Sequence, residues 1–354
     1  MNPVPKVSIL LPNLNTRKYL DQRMDSIFKQ TFTDWELVIV DNESDDVAWD
    51  FFKKIAASDI RVRISQATRN GMYANWNNCI DLARGEYAYI ATSDDTMAPE
   101  CLEHMVAALD SHPQCDIAHC CLTIIDENGE PLSQQWNQLD KVLFYGDFIK
   151  RMHIRKAPYD AYVHAGWSVV YHSITQLLIR RSLFNKVGLF RNDLGSIADF
   201  EWEMRAAFIA DVIHIPKYLA TWRYHSAQAT QAEYFHTADF CRKMIDMVES
   251  AFHQARSSND RLGAKDLHAL QHVYKRQWVG RTLRESPSIM ERLFLFQKNI
   301  RSYPKETFEV LINNLSARKL YKLDITSYIR TMLENRKLEN HILDVVQVPT
   351  GTKI

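Results

Sequence analysis

Two groups of acidic residues follow apolar segments in the N-terminal half of the chain. One group is Asp41 to Asp46 after Leu37 to Val40, and the other is Ser93-Asp94-Asp95 after the segment that ends at Ala91. Carboxylates repel an anionic ligand such as a phosphate unless a divalent cation lies between them. Mg²⁺ and Mn²⁺ prefer oxygen ligands, which Asp94 and Asp95 could supply. The alternative is a simple polar turn between a strand and a helix, which these residue types favour.

Asp199 is a candidate general base. It lies in the segment Ser196-Ile197-Ala198-Asp199-Phe200-Glu201-Trp202-Glu203, at the start of a predicted helix where a carboxylate can face a cleft. A base that removes a proton from an incoming hydroxyl has to stand opposite the leaving group. The spacing of Ser196 and Asp199 also fits a capping box, in which the aspartate only satisfies backbone donors. Glu201 and Glu203 are rival carboxylates, but a helix rotates them by about 200° and 400° from Asp199.

The N-terminal half contains the elements that would position these residues. Apolar segments at 6–11, 37–40, 62–64, 87–91 and 117–123 predict strands, and apolar spacing at 16–30, 47–57, 72–83 and 99–109 predicts helices. This alternation is typical of a doubly wound, mostly parallel α/β sheet. Ligands of such sheets bind outside the carboxyl ends of the strands, where both acidic groups are expected to lie.

The rest of the chain follows a different pattern. Residues 126–170 show no clear period and predict loops that reach over a site. Residues 173–188 predict a helix or strand, and 196–210 an amphipathic helix. From about residue 235 the period is helical, at 237–257, 264–284, 288–301 and in shorter pieces to about residue 335. We therefore expect a catalytic domain at 1–234 and a helical C-terminal region at 235–354.

Composition is that of an ordinary folded chain, with 46% apolar and 24% charged residues. The 43 basic and 43 acidic residues cancel, so no nucleic-acid partner is predicted. The apolar run from Val7 to Leu11 stops at Pro12, too short for a signal peptide, and no stretch approaches the roughly 18 apolar residues of a membrane span. A cytoplasmic location is the default, and peripheral attachment to the inner face of the membrane stays open.

Six cysteines lack zinc-site spacing and predict reduced, mostly buried thiols: Cys79, Cys101, Cys115, Cys120, Cys121 and Cys241.

The order and spacing of several motifs resemble family 2 glycosyltransferases, the inverting enzymes with one nucleotide-sugar-binding α/β domain of GT-A type. The resemblance extends from about residue 5 to about residue 230. It is carried by Val7 to Asn15, Tyr19-Leu20, Ser26 to Phe32, Trp35 to Asp41, Asn70-Gly71, Ala83 to Tyr87, Ser93-Asp94-Asp95, Asp199, and Trp222-Arg223-Tyr224-His225 with Gln228.

The resemblance implies transfer of a sugar from a nucleotide-diphosphate donor to a hydroxyl of a saccharide or lipid-linked saccharide, in synthesis of a cell-surface polysaccharide or glycoconjugate. It implies Asp199 as the base, and Asp94 and Asp95 as ligands of Mn²⁺ or Mg²⁺, with Asp95 the preferred direct ligand. His225 is implied at the metal or the diphosphate, and Arg223 beside the phosphates. The residues implied around the nucleotide sugar are Pro12, Asn13, Asn15, Asp41, Asn42, Asn70, Gly71, Ser93, Asp94 and Arg223.

Some positions depart from the family pattern. Asn42 replaces an aspartate that accepts a hydrogen bond from uracil, and Leu14 replaces an aromatic platform, so uracil is not assured as the base. Thr92 replaces the first aspartate of an Asp-x-Asp motif, so weak metal binding is expected without the donor. Ala198 stands where a glutamate often precedes the base. No Gln-x-x-Arg-Trp segment follows Asp199, which argues against a processive polysaccharide synthase.

Acceptor selection is assigned to residues 126–170, where six side chains either stack on sugar faces or pack in the core: Trp136, Tyr145, Tyr159, Tyr162, His164 and Trp167. The helical tail has basic residues beside aromatic ones, namely Arg276, Arg281, Arg284, Arg292, Trp278 and Phe294. It could pack on the catalytic domain, form a homodimer, or contact anionic lipid.

Two other functions would leave different residues in the sequence. A nucleotidyltransferase would normally begin with a glycine-rich phosphate loop after the first strand, and Pro12-Asn13-Leu14-Asn15 contains no glycine. A non-catalytic sugar-nucleotide-binding or scaffold protein derived from the family would lack the base or the acidic pair, and this sequence has both.

Overall fold

The apolar segments of the N-terminal half form a parallel sheet. The computed structural model describes residues 4–167, 170–226, 237–258, 263–315 and 324–345. Strands β1 (Val7–Asn13), β2 (Trp35–Asp41), β3 (Val62–Gln66) and β4 (Tyr87–Ile90) are parallel, in the order β3-β2-β1-β4. Helices α1 (Arg17–Phe28), α2 (Ala48–Ser58) and α3 (Met72–Leu82) connect them. Every residue of β1, β2 and β4 is buried, as expected of strands covered on both faces.

The strand order reverses beside β1. The chain adds β2 and then β3 on one side of β1, and β4 returns to pair with its other side. The carboxyl ends of β1 and β4 therefore flank the switch point at which a doubly wound sheet binds ligands. Gly85 allows this pairing, because a Cβ at that position would lie 2.6 Å from the backbone nitrogen of Ser8.

The second half of the sheet is mixed. It is built from α4 (Cys101–Ser111), β5 (Cys115–Ile125), α5 (Asp140–Leu143), β6 (His153–Arg155), α6 (Tyr159–Trp167), β7 (Leu177–Arg180), α7 (Ser182–Val187), α8 (Ala198–Ala207) and β8 (Asp211–Arg223). The order continues β4-β7-β5-β8-β6, with β7 antiparallel to both of its neighbours and β8 parallel to β5. The predicted α/β class is confirmed, and the continuous run of parallel strands ends at β4, where the antiparallel β7 follows.

The prediction of loops at 126–170 was wrong, because the segment contains β6 and α6. Helix α6 shows no amphipathic period, since eight of its nine residues are buried. Gly166 lies directly against the Ile329 side chain, where a Cβ would have no room. Helix α8 is likewise almost wholly buried rather than amphipathic.

Strand β8 was not predicted because Pro216-Lys217 interrupts its apolar pattern. In the structure Cys120 pairs with Ile215 and Cys121 with Tyr218, so the two intervening residues form a bulge. The strand continues beyond that bulge to Arg223, and this extension delivers the end of β8 to the acidic turn after β4.

The C-terminal region consists of α9 (Ala238–Ser258), α10 (Ala264–Glu285), α11 (Ile289–Ser302), α12 (Pro304–Leu315), α13 (Ile325–Asn335) and β9 (Ile342–Asp344). Helix α9 packs against α8, and α10 packs against α6, where the Tyr274 hydroxyl donates to the His164 carbonyl at 2.9 Å. Strand β9 pairs antiparallel with β6. The boundary predicted between 234 and 235 lies outside the described residues, so the domain division stays a prediction.

Packing accounts for part of the basic and aromatic residues of the tail. Arg281 donates to the Thr237 carbonyl and Trp278 packs beside the core, whereas Arg284 and Arg292 are exposed. Phe294 is exposed as well, with 65% of its surface accessible on α11. Within the described ranges no helix is both long enough and apolar enough to span a membrane. All six cysteines are buried and unpaired, as predicted.

Candidate active site

The turn after β4 holds Asp94 and Asp95 in different surroundings. Asp95 is 2% exposed; its Oδ2 accepts a hydrogen bond from the Thr92 hydroxyl at 2.6 Å, and its Oδ1 accepts one from the Arg223 backbone amide at 2.7 Å. Asp94 is more open, and its Oδ2 lies 3.0 Å from Nε2 of His225. The structure therefore brings together Asp94 and His225, whereas the oxygens of the neighbouring Asp95 bond to other parts of the protein.

The acidic pair is electrostatically suited to a cation. Burial, followed by the charge of the adjacent Asp94, raises the pKa of Asp95 to about 7, against the lowering effects of Thr92, the Arg223 amide and the buried Arg23 guanidinium. A bound cation would favour the ionised form of such a carboxyl group. Two carboxylates and an imidazole form a donor set that Mn²⁺ accepts, so the residues present fit a divalent metal.

Arg223 does not lie as the resemblance implied. Its side chain is 1% exposed, and its guanidinium donates to the carbonyls of Asp94, Asp126 and Glu127 and to the side chain of Gln22. These bonds use the buried guanidinium to fix the acidic turn, so the phosphate contact predicted for Arg223 was wrong. Arg223 in the segment Trp222-Arg223-Tyr224-His225 therefore supports the turn that holds Asp94 and Asp95.

Asp41 organises the loop after β2. It is fully buried; its Oδ1 accepts from Nδ2 of Asn13 at 2.8 Å and from the Ser44 hydroxyl at 2.6 Å, while its Oδ2 accepts from the Ser44 amide at 3.0 Å. Asn15 adopts a left-handed φ of 54°, which asparagine tolerates, and its Oδ1 accepts from the Asp45 amide at 2.8 Å. These bonds join the ends of β1 and β2 into one ordered wall.

Two buried amide oxygens beside this wall have no hydrogen-bond partner within the described part of the chain, namely Oδ1 of Asn42 and Oδ1 of Asn75. Both side chains are 2% exposed, and Asn75 donates to the Val40 carbonyl at 2.9 Å. A buried acceptor left unpaired is unfavourable, so these atoms are places where a ligand could donate. Asn75 was not predicted, although its helix begins at the predicted Asn70-Gly71.

The remaining predicted donor contacts surround the same strand ends. Pro12 is buried within β1 and Ser93 is 8% exposed in the acidic turn, whereas Asn70 and Gly71 are exposed at the start of α3. Gly71 has a φ of 104°, a conformation that favours glycine. Gln228, the last residue of the resemblance, lies outside the described residues.

Asp199 is held by α3. The Tyr73 hydroxyl donates to Oδ1 of Asp199 at 2.8 Å, and the Phe200 amide donates to the same oxygen at 3.0 Å. No side chain caps the start of α8, so the capping-box alternative is not formed. Burial raises the pKa of Asp199 to about 6, and the hydrogen bond from Tyr73 acts in the opposite direction. A carboxyl group in this range can accept a proton near neutral pH.

Glu203 is a second carboxyl group on the same face of α8, because 400° of rotation leaves it only about 40° from Asp199. It is 2% exposed, and burial followed by the Asp199 charge raises the pKa of Glu203 well above its usual value. Burial lowers the pKa of Lys141 to about 8, an effect that Glu203 opposes. Glu201 instead pairs with Arg205 at 2.7 Å, and Arg205 holds α8 to the preceding loop by donating to the carbonyls of Val187 and Leu189.

Residues 171–173 lie between the acidic turn after β4 and Lys141, a residue that interacts with Glu203 of α8. The Ser173 hydroxyl donates to Oδ2 of Asp95 at 3.4 Å, and two residues earlier the Tyr171 carbonyl accepts from Nζ of Lys141 at 3.4 Å. Lys141 in turn interacts electrostatically with Glu203, one turn from Asp199. Segment 171–173 therefore contacts the acidic turn through Ser173 and contacts Lys141 through Tyr171. Ser173 and Lys141 were not predicted, because their segment carries no motif.

The aromatic residues predicted to select the acceptor are mostly core residues. Trp136, Tyr145, Tyr159, Tyr162 and His164 are each at most 5% exposed. Their packing interpretation is confirmed, and stacking on a sugar is excluded for them in this conformation. Trp167 is partly buried against the same core.

A family model described as Glycosyl transferase family 2 matches residues 8–188, slightly more than half of the chain. The chain belongs to glycosyl transferase family 2. The match includes β1 to β7 and the acidic turn and ends before Asp199 and His225. These two residues therefore stay predictions within a family 2 fold.

Among curated proteins, this family 2 chain is 32% identical over 131 residues to the putative glycosyltransferase EpsE of Bacillus subtilis, covering 36% of the chain and 47% of EpsE. It is 26% identical over 147 residues to the putative teichuronic acid biosynthesis glycosyltransferase TuaG of the same organism, covering 41% of the chain and 58% of TuaG. The chain thus spans about half the length of each relative.

The fold of the family 2 chain resembles that of S. aureus TarS residues 1–349, solved in complex with UDP-GlcNAc. The TM-score is 0.62 at 17% identity, over 94% of this chain and 91% of the TarS chain. The likeness includes the helical C-terminal region as well as the sheet, and at this identity it concerns the fold alone.

Proposed function

We propose that this protein is an inverting glycosyltransferase that moves a sugar from a nucleotide-diphosphate donor to a hydroxyl group of a saccharide or lipid-linked saccharide. The observation that supports the proposal is that one helix, α3, contacts the proposed base Asp199 through Tyr73 and the ends of β1 and β2 through Asn75. The strand β4 that leads into the acidic turn pairs with β1. An acidic turn on one side and an orientable base on the other are what a displacement at the anomeric carbon requires.

In the proposed reaction Asp199 accepts the proton of the acceptor hydroxyl while the hydroxyl oxygen attacks the anomeric carbon. The bond between that carbon and the diphosphate oxygen breaks, and its electron pair leaves with the nucleoside diphosphate. Attack from the face opposite the leaving group inverts the anomeric configuration. Tyr73 orients the carboxylate, since its hydrogen bond occupies one oxygen and leaves the other for the proton.

Asp94, Asp95 and His225 would hold the Mn²⁺ or Mg²⁺ ion, which when bound offsets the negative charge of the diphosphate. Thr92, Arg223 and Ser173 keep Asp95 in place by hydrogen bonds to its two oxygens. The unpaired oxygens of Asn42 and Asn75 would accept from N–H groups of the nucleotide base.

We propose cell-surface polysaccharide or glycoconjugate synthesis as the setting, which the name of the relative TuaG supports. A lipid-linked acceptor would bring the protein to the inner face of the membrane. Helix α11 offers exposed apolar side chains for peripheral contact there or for a homodimer, namely Ile289, Met290, Leu293 and Phe294. Sedimentation with anionic vesicles, with and without these side chains replaced by serine, separates lipid contact from dimer formation.

The direct test is a panel of UDP-, GDP- and dTDP-sugars incubated with the full chain and candidate saccharide acceptors in Mn²⁺, Mg²⁺ or EDTA. We expect one nucleoside diphosphate to be released with acceptor and metal, and an inverted anomeric configuration in the product by NMR. A thermal-shift screen of nucleoside diphosphates with and without Mn²⁺ identifies the base first, because a bound ligand stabilises the native state.

The same assays distinguish the rival functions. Pyrophosphate formation from a nucleoside triphosphate and a sugar phosphate would identify a nucleotidyltransferase. Metal-dependent binding of a nucleotide sugar without turnover on any acceptor or water would identify a non-catalytic binding protein and contradict the proposal.

A further inference from the structure

A second group of metal-binding side chains lies in the helical C-terminal region. His268 and His272 are one turn apart on α10, and Glu306 faces them from α12. One ligand atom from each residue lies within 4.8 Å of the others. Imidazole nitrogens with a single carboxylate suit zinc and the neighbouring transition metals, whereas Mg²⁺ prefers a set of oxygens.

The distances are close to those of a zinc site. Nδ1 of His272 lies 2.8 Å and Nε2 of His268 lies 3.7 Å from Oε1 of Glu306. Ligands of a tetrahedral zinc ion, each about 2.0 to 2.1 Å from the metal, are about 3.3 Å apart. All three separations are at most 4.8 Å, so shortening the longest by at most about 1.5 Å would bring the three atoms to one ion.

Two further observations favour a metal over a simple ion pair. Oε2 of Glu306 has no hydrogen-bond partner among the described residues, although Glu306 is fully buried. Nε2 of His272, the ring nitrogen turned away from Glu306, lies 3.3 Å from Oε2 of Glu309. Histidines that bind metal through one nitrogen commonly present the other to a carboxylate, which fixes the ring. Nε of Arg276 lies 3.2 Å from that same Glu309 oxygen.

We propose that His268, His272 and Glu306 form a zinc site that joins α10 to α12, independent of the proposed transferase reaction. Glu309 is a positioning residue that orients His272. The His268 side chain is 53% exposed, which leaves the fourth ligand position to water. The site would fasten the helical region across the intervening α11.

The test measures zinc binding to the full chain after EDTA treatment and buffer exchange, by isothermal titration calorimetry and by metal content after gel filtration. An Asp94→Asn background removes a carboxylate from the proposed donor-metal site without touching the helices. In that background we expect one Zn²⁺ per chain and a higher Tm in zinc than in EDTA.

His268→Ala should weaken zinc binding at least tenfold, and Glu309→Gln should weaken it by about ten- to a hundredfold. His253→Ala is the matched control, because His253 is similarly exposed on α9 and lies 3.8 Å from a carboxylate one turn away. Its zinc affinity should equal that of the parent.

His268 is exposed, so its replacement leaves the core intact, and circular dichroism verifies the fold. Failure of the Asp94→Asn chain to bind zinc would overturn the proposal. Equal zinc affinity in the His268→Ala and His253→Ala chains would overturn it as well, and would leave His272 and Glu306 as an ion pair between helices.

Discussion

Tyr73 and Asp199 are 126 residues apart in the chain, yet the Tyr73 hydroxyl donates a 2.8 Å hydrogen bond to the Asp199 carboxylate. Tyr73 lies in the first turn of α3, the helix whose Asn75 borders the proposed nucleotide site. One helix therefore contacts both the proposed donor pocket and the proposed base. A shift of α3 on donor binding would change the orientation of the base directly.

Replacement of Asp199 by asparagine should lower kcat by about 10² to 10⁴-fold, because the amide cannot accept the hydroxyl proton. The affinity for the nucleoside diphosphate should stay within about twofold of wild type, since Asp199 belongs to the acceptor side of the site. Kinetics of nucleotide release and calorimetric titration measure the two quantities. Asp193→Asn, at an exposed aspartate of the preceding loop, is the control and should behave as wild type.

The rate should depend on pH through Asp199. Burial raises the pKa of this group to about 6, and only the ionised form can act as a base. kcat/KM should therefore be level above about pH 7 and fall tenfold per pH unit well below pH 6. Activity that is independent of pH between 5 and 8 would remove Asp199 from the mechanism.

Tyr73→Phe should move that acid limb to higher pH, because the lost hydrogen bond is one that lowers the pKa of Asp199. At a pH above the limb the loss of rate should be modest, at most about tenfold. A merely structural role for Tyr73 would lower the rate equally at every pH. Tyr218→Phe, at a half-exposed tyrosine of β8, should leave the profile unchanged.

His225→Ala should raise the Mn²⁺ concentration needed for half-maximal activity by about ten- to a hundredfold, because the imidazole lies 3.0 Å from Asp94 in the proposed metal site. Saturating Mn²⁺ should restore part of the rate. The measurement is initial velocity across a metal titration. His112→Ala, at the end of α4, should not change the requirement.

Asn42→Ala should weaken binding of the cognate nucleoside diphosphate by about five- to tenfold, the value of one hydrogen bond. Its Oδ1 has no partner among the residues that the structure describes, so its removal should cost little stability. Asn77→Ala should show the reverse, since both polar groups of Asn77 bond to the Phe190 backbone. Binding is measured by calorimetry and stability by urea denaturation.

Gly85→Ala should destabilise the protein by about 1 to 3 kcal/mol, because the added methyl would meet the Ser8 backbone at 2.6 Å. Gly280→Ala, within α10, should instead stabilise it by about 0.4 to 1 kcal/mol, since the nearest side-chain atoms are 3.8 Å away. Urea denaturation compares the two. Equal effects at the two glycines would show that close approach of β1 is not the reason for Gly85.

The sequence predicted β1 to β4 and their helices because each element has one simple period. The acidic turn and Asp199 were found because carboxylates after a strand or at a helix start stand out in a parallel α/β pattern. The buried elements α6 and β8 were missed for physical reasons: a helix buried on all sides loses its amphipathic period, and a proline bulge interrupts a strand pattern.

Partners within the site were harder to predict than its acidic residues. Tyr73, Ser173 and Lys141 act through contacts between distant segments, which spacing along the chain does not reveal. The same limit explains Arg223, whose type suggests a phosphate contact but whose burial directs it to backbone carbonyls. The sequence argument set Glu203 aside as a rival base because of its helical rotation of about 400° from Asp199. Since 360° of that is a full turn, Glu203 lies on the same side of α8 as Asp199.

Strand β9, near the end of the described residues, belongs to the same sheet as β1 to β8. It pairs with β6 and covers the edge of that strand. A protein shortened before residue 342 would expose the amides and carbonyls of β6 along an open edge, and such edges recruit other chains. The sheet domain produced by itself should therefore aggregate. In the whole chain, β9 prevents this by covering the edge of β6.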